Sequence, residues 1–120
     1  MTPAQFVDLV VETIRDPAHW TQAVSARDAD GYPVMADDPQ AESFCLMGAI
    51  EKVYLLVPSS GDLLRNVTHE IFSEIWDETE NESWRFAVPS EDLITTFNDT
   101  KSHTQVLNAL VNVRERFLGR

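Results

Sequence analysis

Residues 43–57 read SFCLMGAIEKVYLLV and form the most apolar stretch of the chain. Apolar side chains recur at Leu46, Ile50 and Val53, which is the spacing of an α-helix rather than the alternation of a strand. Pro58 follows directly, and proline is not compatible with continuation of a helix. A helix that is apolar around most of its circumference is normally buried on several sides. The sequence therefore predicts a central helix at 43–57 with the other segments packed around it.

Local capping signals predict where the other helices begin. Thr2 with Gln5, and Ser102 with Gln105, have the residue types and spacing of capping boxes. We expect a mainly α fold with a minor β component, in which about five helices pack around the central helix and a small antiparallel hairpin lies near 21–36. The expected helices besides 43–57 begin near Pro3, Ser60, Ser90 and Ser102.

Three further details follow from the pattern. Residues 84–89 have the composition of a short extended segment and are a candidate third strand of the hairpin. Asn98-Asp99 is typical of a turn that ends a helix, because both side chains bond to nearby backbone amides. Gly48 in mid-helix costs about 1 kcal/mol relative to alanine, so it predicts close approach of Trp20 or of the hairpin.

Composition favours one globular domain over residues 1–120. A chain of 120 residues with 43% apolar residues can bury a single core. A single cysteine, Cys45, fits a reducing compartment, and the first residues lack the features of a signal peptide. No apolar run reaches the roughly 20 residues of a membrane span. We therefore expect a soluble cytoplasmic protein that does not bind membranes.

The acidic character of the chain constrains its partners. Twenty acidic residues against nine basic ones give a formal charge of −11, which repels phosphate backbones. We expect no direct binding of nucleic acid and, as a candidate partner, a basic protein. Residues 77–83 form an expected acidic loop. Six carboxylates between residues 70 and 82 are either an ordinary solubilising surface or a mimic of nucleic acid that binds a basic protein; they are Glu70, Glu74, Asp77, Glu78, Glu80 and Glu82.

One combination of residues suggests catalysis. Cys45 lies near the predicted amino end of a helix, where unpaired amides and the helix dipole favour thiolate. His103 is a candidate base, with Asn98 or Asp99 to orient it, so that a thiol-dependent hydrolase or transferase is one hypothesis. The alternative is a buried structural cysteine between two apolar neighbours. No spacing of metal ligands and no glycine-rich phosphate loop occurs in the sequence, so we expect neither a metal nor a cofactor.

Four segments resemble a family of small bacterial and phage proteins known only as a domain of unknown function. They are Trp20-Thr21-Gln22-Ala23, residues 26–31 (ARDADG), residues 44–50 (FCLMGAI) and residues 94–99 (ITTFND). The chain departs from the pattern in two places, with Phe97 where tryptophan is common and with the acidic segment 77–83. The resemblance implies a shared fold and no known reaction. It also implies that Trp20, Gln22, Cys45, Asn98 and Asp99 converge in space.

The sequence thus favours a binding or accessory protein that acts through its surface. The candidate binding residues are Trp20, Gln22 and the six carboxylates between residues 70 and 82. The thiol enzyme and the acidic mimic are the alternatives. Each makes a geometric demand, since the first needs an imidazole at the Cys45 sulfur and the second needs the carboxylates on one exposed face.

Overall fold

Residues 1–119, the part of the chain that the computed structural model describes, form five α-helices and one three-stranded antiparallel sheet. The helices are α1 (Pro3–Ile14), α2 (Leu46–Leu56), α3 (Gly61–Glu78), α4 (Leu93–Thr100) and α5 (His103–Leu118). The strands are β1 (Ala26–Arg27), β2 (Pro33–Val34) and β3 (Ser43–Phe44), in the spatial order β2-β1-β3. Single 3₁₀ turns occupy Pro17–His19, Ser83–Phe86 and Ser90–Asp92. The predicted mainly α fold with a small antiparallel sheet is confirmed.

Capping side chains fix the starts of three helices. The hydroxyl of Thr2 accepts from the backbone N–H of Gln5 at 3.2 Å, and the Gln5 side chain accepts from the N–H of Thr2 at 2.9 Å. Ser102 and Gln105 form the same reciprocal pair at the start of α5, and Ser60 caps α3. Each pair satisfies amides that have no partner within the helix, so these predicted helix starts are confirmed.

The core lies between α1 and the helices around it. α1 packs against α2, α3 and α5, while α2 packs against α1 and α4. The apolar stripe of α2 at Leu46, Ile50 and Val53 is buried as predicted. The carboxyl end of the same helix is different, because Leu55 and Leu56 remain exposed there. α1 therefore shares the central position that the sequence suggested for α2.

The start of α2 lies later than the apolar pattern suggested. Ser43 and Phe44 form β3 and pair with Arg27 and Ala26 of β1, and Cys45 is the residue that caps the helix. Strand pairing satisfies the backbone of residues 43–44 across the chain, and apolar spacing within one segment does not reveal such a partner. These residues supply the third strand that we expected from 84–89.

Two other segment boundaries differ from expectation. α4 continues through Asn98 and Asp99 to Thr100, since Asn98 uses its side chain for distant partners and leaves the helical backbone intact. α3 continues through Asp77 and Glu78, so the first two residues of the expected acidic loop are helical. Residues 83–86 form a 3₁₀ turn instead of a strand.

Candidate functional site

A buried asparagine in α4 joins three parts of the chain. Asn98 is 0% exposed, and its Oδ1 accepts from the indole N–H of Trp20 at 2.7 Å and from the backbone N–H of Leu46 at 3.0 Å. Its Nδ2 donates to the Thr21 carbonyl at 3.0 Å and to the Asp99 carboxylate at 3.2 Å. The amide thus uses its full capacity of two donors and its acceptor oxygen. Asn98 therefore fixes the amino end of α2 to α4 and to the segment before the sheet.

Gln22 and Asp99 hold the loop before β1 against the end of α4. The side-chain NH2 group of Gln22 donates to the carbonyls of Asn98, Asp99 and Lys101 at 3.0, 3.2 and 3.1 Å. These carbonyls lie at the carboxyl end of α4, where they lack partners within the helix. Asp99 in turn accepts from the N–H of Ala23 at 2.8 Å, which holds Ala23 at a φ of 73°. We call Trp20, Gln22, Asn98 and Asp99 the polar cluster.

Gly48 lets the loop approach α2 closely. A Cβ at Gly48 would lie 2.1 Å from the carbonyl oxygen of Ser25. That same carbonyl accepts from the N–H of Cys45 at 3.1 Å. The close neighbour predicted from Gly48 is therefore the segment that leads into the hairpin, and it is not Trp20. A hollow of about 290 Å³ beside this contact is lined by Cys45 and Asp99, among other residues, so Cys45 lies at the edge of the polar cluster.

A groove that sequence reasoning missed lies between α2 and α3. It has a volume of about 410 Å³, and its deepest residues, Ala36 and Ile50, belong to the buried core. Its walls are mainly apolar and include two large exposed side chains, Met35 at 70% and Leu55 at 61% exposure. The lining residues are Met35, Ala36, Asp37, Met47, Ile50, Glu51, Tyr54, Leu55, Leu64 and Thr68. We call this surface the α2–α3 groove.

The α2–α3 groove continues into a shallower depression along α3. The depression shares Met47 and Thr68 with the groove and extends past Phe72 to Glu91 and Ile94 near the start of α4. The only sequence signal for the groove is the pair of adjacent leucines at residues 55–56. Neighbouring positions in a helix point about 100° apart, so a leucine pair at a helix end widens the apolar surface beyond the buried face.

Comparison with known proteins assigns a family to this fold. A family model described as a family of unknown function, DUF6197, matches residues 1–116. The chain belongs to DUF6197. No curated protein and no solved structure matched the chain. The membership of a family of unknown function that the sequence motifs indicated is confirmed, and the family supplies no reaction.

The polar cluster of this DUF6197 chain agrees with the convergence that the resemblance implied. Hydrogen bonds join Trp20, Gln22, Asn98 and Asp99, and Cys45 caps the helix whose first N–H donates to Asn98. Within residues 1–119, no three His, Cys, Asp or Glu side chains lie close enough together to hold a metal ion. No helix in the same range has the length and apolar character to cross a membrane.

The geometry around Cys45 does not assemble the pair that catalysis needs. The Cys45 sulfur accepts from the N–H of Gly48 at 3.2 Å, and no hydrogen bond joins it to an imidazole in the part of the chain described. A ring nitrogen of His103 instead lies 2.6 Å from the Ile14 carbonyl, and its ring contacts Trp20. Burial raises the pKa of the Cys45 thiol, outweighing the hydrogen bonds from Gly48 and Met47 that lower it. The prediction that the helix terminus lowers the pKa of Cys45 is therefore wrong, because burial has the larger effect.

We expect Cys45 to alkylate slowly in the folded protein. Because the thiol is buried and its pKa is raised, the reaction with iodoacetamide at pH 8 should be at least about tenfold slower than in the same chain unfolded by urea. The rate of adduct formation, followed by mass spectrometry over a range of pH, measures this directly. A folded chain that reacts at neutral pH as fast as the unfolded one would show an activated thiol and contradict the prediction.

The six candidate carboxylates do not form one exposed face. Glu74 is 5% exposed, and Arg116 of α5 approaches both Glu74 at 2.8 Å and Glu70 at 3.5 Å. Glu82 pairs with Lys101 at 2.5 Å, and both this contact and the indole of Trp84 lower the pKa of Glu82. Basic residues distant in sequence therefore neutralise part of the acidic segment. This arrangement counts against a continuous mimic of nucleic acid.

Glu78 is the carboxylate whose charge the fold disfavours. Partial burial and the neighbouring Glu74 raise the pKa of Glu78 from 4.5 to about 7, opposed by the hydrogen bond from Asn112 and by the charge of Arg116. Because this pKa is raised in the folded state, the stability associated with protonated Glu78 is complete below about pH 4.5. That stability is lost as the pH rises through about 7.

Replacing Glu78 with glutamine should therefore stabilise the protein at alkaline pH. We expect Glu78→Gln to gain about 1 kcal/mol in free energy of unfolding at pH 8, a value reduced by solvent screening because Glu78 is only partly buried and remains largely exposed. Below pH 4.5 the gain should vanish. Urea denaturation at both pH values tests this, with Glu80→Gln at the neighbouring turn as a control. An equal gain from both variants would indicate a general effect of net charge and contradict the local origin.

Proposed function

We propose that this chain is a binding protein that holds an apolar segment of a partner protein in the α2–α3 groove. The single observation that carries the proposal is a groove of about 410 Å³ whose walls include Met35, Tyr54 and Leu55. Its volume is within the range of pockets that hold small molecules, roughly 300–1,000 Å³, so it has room for apolar side chains of a partner. Exposed apolar surface that is contiguous and concave is typical of sites of interaction.

The chemistry of the walls favours protein side chains over a polar metabolite. The hydroxyl of Thr68 donates to the carbonyls of Leu64 and Arg65, so it is already engaged within α3. The carboxylates of Asp37 and Glu51 belong to exposed residues at the rim. Sites for small metabolites usually place a few polar groups inside the cavity to orient the ligand. Methionines, by contrast, adapt to apolar side chains of different shapes.

The polar cluster supports this function as a scaffold. Asn98 fixes the first N–H of α2, and Gln22 fixes the end of α4. α2 supplies one wall of the groove, and α4 borders the adjoining depression. A rigid wall reduces the conformational entropy that is lost when a ligand binds. The cluster therefore contributes to binding by holding the groove open.

A pair of adjacent leucines provides the test. We would pan a library of random peptides displayed on phage against the wild-type protein and measure each selected clone on Leu55→Glu and Leu56→Glu. Both residues are exposed, at 61% and 67%, but only Leu55 lines the groove, while Leu56 borders a separate hollow beside α1. A carboxylate in an apolar site is costly to desolvate.

We expect the selected clones to bind Leu55→Glu at least about tenfold more weakly, a change of about 1.4 kcal/mol, and to bind Leu56→Glu as they bind wild type. Thermal denaturation of each variant checks that the fold is retained. If no clone depends on Leu55, the groove is not the binding site and the proposal is wrong.

A further inference from the structure

We infer that the segment bound in the α2–α3 groove is a basic amphipathic helix of about three turns. This inference rests on the function proposed above and adds the conformation and charge of the partner. It is carried by two properties of the groove, namely the helical spacing of its walls and the sign of the charges at its rim.

Two of the three segments that line the groove are helices, α2 and α3, and the third is residues 35–37. From α3 it is lined by Leu64 and Thr68, and the adjoining depression continues this line with Phe72, so that the three residues are spaced by four. From α2 the lining residues Met47 and Leu55 are likewise separated by two turns. Eight residues at 1.5 Å each give a length of about 12 Å. Apolar walls of this length match the side of a helix with apolar residues at i, i+4 and i+7 or i+8.

An extended peptide fits the same walls poorly. Peptides that bind as strands gain affinity from backbone hydrogen bonds to an exposed sheet edge. The helical backbone of residues 46–56 and 61–78 already uses its N–H and C=O groups internally. An extended backbone in the groove would therefore leave its own polar groups unpaired against apolar walls, which is costly. A helix satisfies its backbone internally and presents only side chains.

The rim selects a basic ligand. Asp37 and Glu51 are exposed beside the groove, and Glu91 is exposed beside the depression. Within residues 1–119 none of these three carboxylates forms an ion pair. The arginine nearby, Arg65, is already paired with Asp62. Lysine or arginine residues flanking an apolar ridge would therefore meet negative charge on entry.

The overall charge favours the same partner over a second copy of this chain. Two copies that each carry a formal charge of −11 would repel as they approach groove to groove. A basic helix, by contrast, is attracted from a distance, which raises its rate of association, and added salt lowers this rate by screening the charges. The charge of the whole molecule and that of the rim thus point to one class of partner.

Three synthetic peptides of about three turns separate conformation from charge. The first places leucines on one helical face and lysines on the other, the second replaces every lysine with glutamate, and the third is the first with a central proline. We expect the leucine–lysine helix to bind at least about tenfold more tightly than either of the others, as measured by fluorescence anisotropy. Raising the salt from about 0.05 to about 0.3 M should weaken its binding.

Variants of the protein show whether binding occurs in the groove. Leu55→Glu makes the protein more acidic, which by charge alone would not weaken binding of a basic peptide. Weaker binding of the leucine–lysine helix to this variant therefore reflects lost apolar contact. Glu51→Lys should weaken binding at least about fivefold, whereas Glu80→Lys, which changes the net charge equally, should weaken it less than about twofold. Binding that falls equally in both lysine variants would show general attraction to an acidic protein and overturn the inference.

The remaining outcomes distinguish this inference from the proposed function. If the acidic or the proline-containing peptide binds as tightly as the basic helix, and does so through Leu55, the groove binds protein segments but the partner assigned here is wrong. If light scattering shows a dimer that Leu55→Glu dissociates, the occupant is a second copy, which also overturns the inference. If no peptide and no library clone depends on Leu55, the proposed function itself fails.

Discussion

Gly48→Ala should destabilise the protein by about 3 kcal/mol, at the upper end of the range for overpacked sites. The new methyl group would lie 2.1 Å from the Ser25 carbonyl oxygen and 3.0 Å from its carbon. The neighbour is backbone, so it cannot relieve the contact by changing rotamer. The Ser25 carbonyl is also held by the N–H of Cys45, and moving it would break that bond. We therefore expect the amino end of α2 to separate from the loop before β1.

The midpoint and slope of urea denaturation measure this loss. Gly61→Ala is a matched control, because its methyl group would have only the Arg65 side chain as a near neighbour, at 3.7 Å. At a compatible position this substitution usually stabilises by about 0.4–1 kcal/mol, since it restricts the unfolded chain. Equal stability of Gly48→Ala and wild type would show that the loop and α2 are not in close contact.

Asn98→Ala should have a comparable effect, also about 3 kcal/mol. The substitution leaves the indole N–H of Trp20 and the backbone N–H of Leu46 without their acceptor. It also removes the N–H that donates to the Thr21 carbonyl. A buried polar group left without a partner costs about 1–3 kcal/mol, and water reaching the enlarged cavity would recover part of the total. Asn108→Ala on the exposed face of α5 is the control and should change stability by less than about 0.5 kcal/mol.

The isosteric change Asn98→Asp adds a dependence on pH. The carboxylate would keep the acceptor but would lose the donor to Thr21, and it would be fully buried beside Asp99. Burial and a like charge both raise the pKa of a carboxyl group. The variant should therefore be least stable at neutral pH and recover as the pH falls and the carboxyl becomes protonated. A loss that is the same at pH 4 and pH 7 would show that position 98 is not buried in this network.

Local signals in the sequence were sufficient for most of the fold. The capping residues Thr2, Ser60 and Ser102 act on amides within the next turn, so their effect can be read from a few consecutive residues. The prediction of the third strand was wrong because that strand depends on a partner that is distant in sequence. Ser43 and Phe44 pair with residues 26–27, and their apolar character fits equally well at the start of a helix.

The role of Asn98 could not be derived from its neighbours in sequence. Asparagine followed by aspartate commonly bonds to the adjacent backbone, whereas here the side chain reaches partners 52 to 78 residues away. Only the resemblance to a family indicated that these positions converge. The adjacent leucines at 55–56 indicate extra apolar surface but do not predict the α2–α3 groove. A groove depends on which surfaces of Met35, Leu55 and Leu64 the assembled helices leave uncovered.

The position of α1 has a consequence for how the chain acquires its structure during translation. α1 packs against α5, so one side of α1 stays uncovered until a helix that lies much later in the sequence has been synthesised. The hydrogen bonds that Trp20 and Leu46 donate likewise form only after Asn98 has been synthesised. Nascent chains that have not been extended beyond about residue 100 should therefore lack a closed core and stay accessible to chaperones and proteases. We therefore expect the core to close only after α5 has left the ribosome.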